Sequence, residues 1–167
     1  MELESTAQRM ARLNKNLLLL SKIDNEQFLV TEPIDVSVIV SSQINILEQM
    51  ALMENITISS ELSPLKINAN KTLIEVLVSN LLHNAIRYGA KNEPVLVRLN
   101  QRCLSISNRG TASKMSLEQM TQRFSKESTN PNSTGLGLAI VKEICDSCNY
   151  RLEYSFVDST HYFSINF

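Results

Sequence analysis

Apolar residues recur every third or fourth position through the start of the chain, at Leu3, Ala7, Met10, Leu13, Leu17, Leu20 and Ile23. That spacing predicts an amphipathic helix over residues 3–24, with no glycine or proline to stop it. After Asp24-Asn25, residues 27–32 read as extended. Pro33-Ile34-Asp35 leads into a second helix, capped by Asp35 or Ser37 and running to about Asn55. Strand alternation follows at 56–62 and again at 65–67. Asn70 is the expected cap of a third helix that ends near Tyr88. Residues 95–99 and 104–107 are short alternating strands, close enough to pair as a hairpin. The stretch 109–134 is polar, with a short helix predicted over 116–124 and a loop at Asn130-Pro131-Asn132-Ser133. So long a segment in a compact domain is often a functional lid. A helix over 136–146 and strands at 150–157 and 161–167 complete an α+β pattern: a mixed sheet with three main helices on one face, preceded by an N-terminal helix.

A length of 167 residues suits one domain with one extra element. Composition excludes several classes. The chain is 43% hydrophobic and 20% charged, which supports a buried core and argues against a disordered tail. Lys and Arg number 16 against 17 Asp and Glu, so no basic excess nominates nucleic acid or an anionic membrane as the main partner. No apolar run approaches the roughly 20 residues of a spanning helix. The start, Met1-Glu2-Leu3-Glu4, lacks the basic-then-apolar order of a secretory signal, so the expected location is the cytoplasm. Cys103, Cys145 and Cys148 include a lone C-x-x-C with no second ligand pair, which favours plain thiols over zinc or redox chemistry.

Glycine is scarce. The chain has 4, where an average usage of about 7% would give roughly 12. Gly89 reads as a helix cap, whereas Gly110 and the pair Gly135 and Gly137 mark places where backbone approaches something closely. On the third helix, Ile74, Leu77, Val78, Leu81, Leu82 and Ala85 form a core stripe. Asn80, Asn84, Arg87 and Tyr88 form a second stripe beside it. An Asn carbonyl oxygen can ligate Mg2+, which keeps waters and takes substrate phosphates, and Arg87 can pair with a phosphate. By helical spacing Glu75 points away from this stripe. Gly135 and Gly137 open a helix, whose N-terminal amides can meet phosphate oxygens. Their spacing matches neither the dinucleotide G-x-G-x-x-G nor the P-loop.

The motif Asn80-Leu81-Leu82-His83-Asn84-Ala85-Ile86-Arg87-Tyr88 resembles the N box of the ATP-binding domain of sensor histidine kinases. Thr134-Gly135-Leu136-Gly137-Leu138-Ala139-Ile140-Val141-Lys142 resembles its second glycine box, in the family's order. Between them, Asn108-Arg109-Gly110 stands at the first glycine box and Arg123-Phe124-Ser125-Lys126 resembles the F box. Residues 8–23 resemble the end of the second dimerisation helix. The resemblance implies a two-layer α/β sandwich of the Bergerat ATP-binding type over 26–167, preceded by the end of the dimerisation hairpin over 1–25. It implies ATP and Mg2+ as cofactors, with Asn84 as the main metal ligand and Asn80, Arg87 and Lys126 near the phosphates. Tyr88 would lie near the sugar or base, Asn108 and Gly110 at the adenine, and Phe124 would anchor the lid. Thr134, Gly135, Leu136, Gly137 and Leu138 would close over the triphosphate. The implied partners are the parent's own dimerisation hairpin, a response regulator, and a second copy in a full-length homodimer, with a parent that can be anchored in the inner membrane.

Two departures stand against the family pattern. Asn108 and Ala112 occupy positions where the family usually has Asp and a further glycine. An Asn carbonyl still accepts from the adenine amino group. Hydrogen bonds to charged groups contribute about 1.5–3 kcal/mol against about 0.5–1.5 for neutral ones, so binding is expected to weaken by roughly five- to tenfold. The chain's two histidines, His83 and His161, lack the sequence context of a phosphoacceptor and read as surface or edge residues. The expected function is therefore an ATP-binding catalytic domain that presents the γ-phosphate to a histidine outside this chain and does not autophosphorylate alone. The alternative is a degenerate nucleotide-binding regulatory module of the same fold. A third reading, another ATPase or serine kinase of the superfamily, is disfavoured by the helix over 3–24.

Overall fold

Asn70 starts the helix that organises the molecule: its side-chain oxygen accepts from the Leu73 amide at 3.2 Å, and α3 (Lys71–Tyr88) runs from there. The computed structural model describes residues 2–25, 28, 30–125 and 134–167. Ahead of α3 come α1 (Glu2–Asp24), β1 (Glu32–Asp35), α2 (Val36–Met53), β2 (Ile58–Leu62) and β3 (Lys66–Ala69). After it come β4 (Val95–Asn100), β5 (Cys103–Arg109), α4 (Leu117–Met120), α5 (Gly137–Ser147), β6 (Arg151–Val157) and β7 (Thr160–Asn166).

Five strands form a mixed sheet in the order β2-β4-β5-β7-β6, parallel between β2 and β4 and antiparallel elsewhere. Alternation fixes which face is covered. Val95, Val97, Leu99, Leu104, Ile106, Phe163 and Ile165 are buried with α2, α3 and α5, while Arg98 and its neighbours on the other face stay open. The hairpin from β6 to β7 turns through Asp158 and Ser159, both at positive φ, which matches the twist of the flanking strands. On α3 the buried stripe includes all six expected residues and also Leu73 and Ile86. α1 lies against α5 and buries Leu20 and Ile23.

Two local expectations change. The extended segment falls at β1, later than 27–32, because Glu32–Asp35 pairs antiparallel with β3; residues 26, 27 and 29 lie outside the described part. Pro33 fits there because the ladder has only two strands, so its missing amide costs no central bond. Strand β2 begins at Ile58, since Ile56 is buried and its amide bonds to the Ala51 carbonyl, closing the end of α2. The loop expected at 130–133 lies outside the described residues. α2 has the length and composition of a membrane-crossing helix, but Val36, Ile39, Val40, Leu47 and Ala51 are buried in the core of the sandwich.

Candidate active site

The second stripe of α3 faces a cleft of about 1310 Å3, above the ~300–1,000 Å3 usual for small-molecule sites. It is large because α1 supplies a far wall of Asn14, Lys15, Leu18 and Lys22. Asn80 donates from Nδ2 to the Val76 carbonyl at 2.9 Å, which leaves its Oδ1 toward α5. A Cβ on Gly137 would come within 3.1 Å of that oxygen, so glycine at the first residue of α5 lets the helix start close beside Asn80. Asn84 and Arg87 are half-buried, line the cleft, and make no side-chain hydrogen bond or ion pair with another described residue. Tyr88 lines the rim.

Across from α3, Thr134, Gly135, Gly137 and Leu138 bring the start of α5 to the cleft, and Leu136 at its N-cap makes no side-chain capping bond. First-turn amides without a cap, in the same cleft as the half-buried Arg87, favour an anionic ligand. The floor holds Asn108, only 3% exposed. Its Nδ2 donates to the Arg109 carbonyl at 3.2 Å, so Oδ1 is left as an acceptor without a partner among the described residues. Leaving such an atom unpaired costs about 1–3 kcal/mol, and a ligand amino group would recover it.

Other expected site residues stand elsewhere. The side chain of Leu136 is fully buried in the core and does not line the cleft. Gly110 is set back: its amide bonds to the Ser159 carbonyl at 2.9 Å, and the residues it presents to the cleft are Thr111, Ala112 and Ser113. The Phe124 ring is 57% exposed and off the cleft wall, so what it contributes is backbone. Gly135, at φ 69, packs where a Cβ would meet the Phe124 carbonyl carbon at 2.8 Å, which joins the two ends of the segment between them. Lys126 lies outside the described residues. Gly89 is indeed the C-cap of α3, yet with φ −66; the close contact, a Cβ only 2.7 Å from the Ala85 carbonyl, is what excludes a side chain.

Several cleft residues escaped the sequence reading. His83 is half-buried on the wall, with Nδ1 2.7 Å from the Ser79 carbonyl; a carbonyl only accepts, so Nδ1 carries the proton. Glu75, off the asparagine stripe, also lines the cleft, beside Lys71 at 3.9 Å. His161 stands next to Asn108 and is bonded at both ring nitrogens. No periodicity marks these positions, because the cleft forms between elements distant in sequence. Cys145 is buried in α5, and burial pushes its thiol up to about 12, out of reach of ionisation at neutral pH.

A mixed sheet covered on one face by three helices, with a polar stripe on one helix facing the start of another across a deep cleft, defines an ATP-binding domain of the Bergerat type. The chain belongs to the histidine kinase-, DNA gyrase B- and HSP90-like ATPase family, whose model matches residues 69–165. It is similar to the heme sensor protein HssS of Staphylococcus saprophyticus, 33% identical over 149 residues that cover 86% of this chain and 32% of the relative. The chain thus spans about a third of the length of that curated relative. Among solved structures it resembles the Acinetobacter baumannii histidine kinase AdeS, at a TM-score of 0.81 and 23% identity over 98% of this chain and 80% of the other. The mycobacterial sensor histidine kinase MprB matches at a TM-score of 0.71 and 21% identity over 81% of this chain and 95% of the other. These two likenesses establish the fold.

Proposed function

We propose that this chain is the ATP-binding catalytic domain of a sensor histidine kinase, carrying at residues 1–25 the end of a dimerisation helix. The observation that carries the reading is the facing of Asn80, Asn84 and Arg87 on α3 with the start of α5 across one cleft whose floor is the Oδ1 of Asn108, unpartnered among the described residues. The adenine amino group would donate to that oxygen, and the triphosphate would run past Arg87 to the α5 amides. Mg2+ fits the donor set: an amide oxygen of Asn84 is a hard ligand with no competing partner among the described residues. Among those residues no group of three or more His, Cys, Asp or Glu could hold a metal, so the nucleotide's own phosphates and water would complete its shell. When bound, the ion would neutralise charge on the transferring phosphoryl group, and the chain's part is to position it.

Neither histidine has the setting of an acceptor, since both are tied by hydrogen bonds at the cleft wall. The acceptor would lie on the parent's dimerisation hairpin, with a response regulator downstream and a homodimer in the full-length parent. Supplying such a hairpin in trans with γ-labelled ATP tests this. Label on the hairpin's histidine, lost in an Asn84→Ala variant by at least tenfold, is the expected outcome. Nucleotide binding without any transfer would instead favour a regulatory module of the same fold.

A further inference from the structure

We infer that His161 is a positioning residue of the nucleotide site, holding the segment after β5 in place through one ring tautomer; this rests on the nucleotide reading above. His161 pairs with Asn108 across the β5–β7 ladder. Directly opposed residues project to the same face of a sheet, and both side chains line the cleft. Nε2 of His161 lies 2.9 Å from the Thr111 carbonyl, which only accepts, so Nε2 carries the proton of the neutral ring. Nδ1 is then an acceptor, and the Tyr154 hydroxyl 2.9 Å away donates to it. The Thr111 carbonyl, which only accepts, therefore fixes the tautomer, and the Tyr154 hydroxyl, able to donate or accept, satisfies Nδ1.

Packing restricts the ring further. Tyr154 lies 26° from parallel with it, and the Phe156 centroid is 4.7 Å away. On the remaining side is Gly110, where a Cβ would come within 3.1 Å of Nε2. The chain leaving β5 thus rests on the imidazole, and Thr111, Ala112 and Ser113 are held as a cleft wall adjoining Asn108. With both ring nitrogens engaged inside the protein, His161 acts on a ligand through the position of this wall. The wall leaves β5 directly after the buried acceptor, so its loss is expected to bear on the base more than on the phosphates.

The test uses the whole 167-residue chain as wild type, His161→Leu, His161→Gln and Tyr154→Phe. Titrations employ a non-hydrolysable ATP analogue and, separately, inorganic tripolyphosphate, both with Mg2+; 15N NMR reads the ring nitrogens. The wild-type ring is expected to be protonated at Nε2 alone, and to stay so in Tyr154→Phe, where the Thr111 carbonyl remains its acceptor. His161→Leu should weaken the analogue by about three- to tenfold, the size of one lost hydrogen bond, and leave tripolyphosphate unchanged. His161→Gln, which retains a donor for the Thr111 carbonyl, should recover most of that loss. A wild-type ring protonated at Nδ1, full analogue affinity in His161→Leu, or an equal loss toward both ligands would overturn the inference. No analogue binding by the wild type would overturn the nucleotide reading and the positioning role with it, while the ring tautomer would still decide whether the Thr111 lock exists.

Discussion

A methyl group added at Gly135 meets the Phe124 carbonyl carbon at 2.8 Å, on a backbone at φ 69 that L side chains rarely adopt. The left-handed conformation alone costs roughly 1–2 kcal/mol for a residue with a Cβ, and the neighbour is backbone that cannot swing aside. Gly135→Ala should therefore lower the Tm and weaken nucleotide binding. Gly137→Ala should be milder in stability, since its Cβ would meet only the side-chain oxygen of Asn80, at 3.1 Å. Thermal melts of the two variants check the order, and a more stable Gly135→Ala would contradict it. At this scale the sequence was legible where a residue type has one use. The scarcity of glycine pointed to positions 110, 135 and 137, and the asparagines of α3 lie together on one wall. It was not legible where contact decides. Leu136 shares a motif with the glycines yet points into the core, and the Phe124 ring points to solvent. His161 is tied to Thr111 across 50 residues of chain, which no local pattern encodes.

Caps and stripes carried the element scale. Asp35 ends β1 and caps α2: its Oδ1 accepts from the Ser37 hydroxyl at 2.6 Å, the Ser37 amide at 2.9 Å and the Leu65 amide at 3.3 Å. The Ser37 hydroxyl bond chiefly, then the two amides and the charge of Lys66, hold its carboxyl below the ordinary value against the opposing effect of burial. A lowered folded pKa means that the stabilisation is full above the unfolded value, about 3.9, and is lost as pH falls through the folded one. The Tm difference between wild type and Asp35→Ala should be full at near-neutral pH and shrink in acid. A difference that grew on acidification would contradict the assignment. The helices α2, α3 and α5 were readable because a 3.6-residue period and a cap are local signals. Strand pairing was readable only between neighbours in sequence, where the β4–β5 hairpin forms as expected. The two terminal strands pair as adjacency suggested, but the β1–β3 ladder joins segments more than 30 residues apart, so the strand at Glu32–Asp35 read only as a lead-in to α2.

At the scale of the molecule, the sheet fixes Asn108 while α3 and α5 bring the asparagine stripe and the uncapped helix start to the same cleft. Family resemblance anticipated this architecture because its two motifs sit on those two helices. The wall that α1 adds to the cleft was not anticipated, since a helix reads the same whether or not its outer face meets another element. The central claim is that the cleft is a Mg-nucleotide site built around Asn84. Calorimetric titration of the 167-residue chain with a non-hydrolysable ATP analogue, with and without Mg2+ and beside Asn84→Ala, tests it most directly. The expected dissociation constant is about 10 µM to 1 mM, or about −7 to −4 kcal/mol, weakened tenfold or more when Mg2+ or the Asn84 amide is removed. No detectable binding at millimolar nucleotide, or binding indifferent to both Mg2+ and Asn84, would contradict the account.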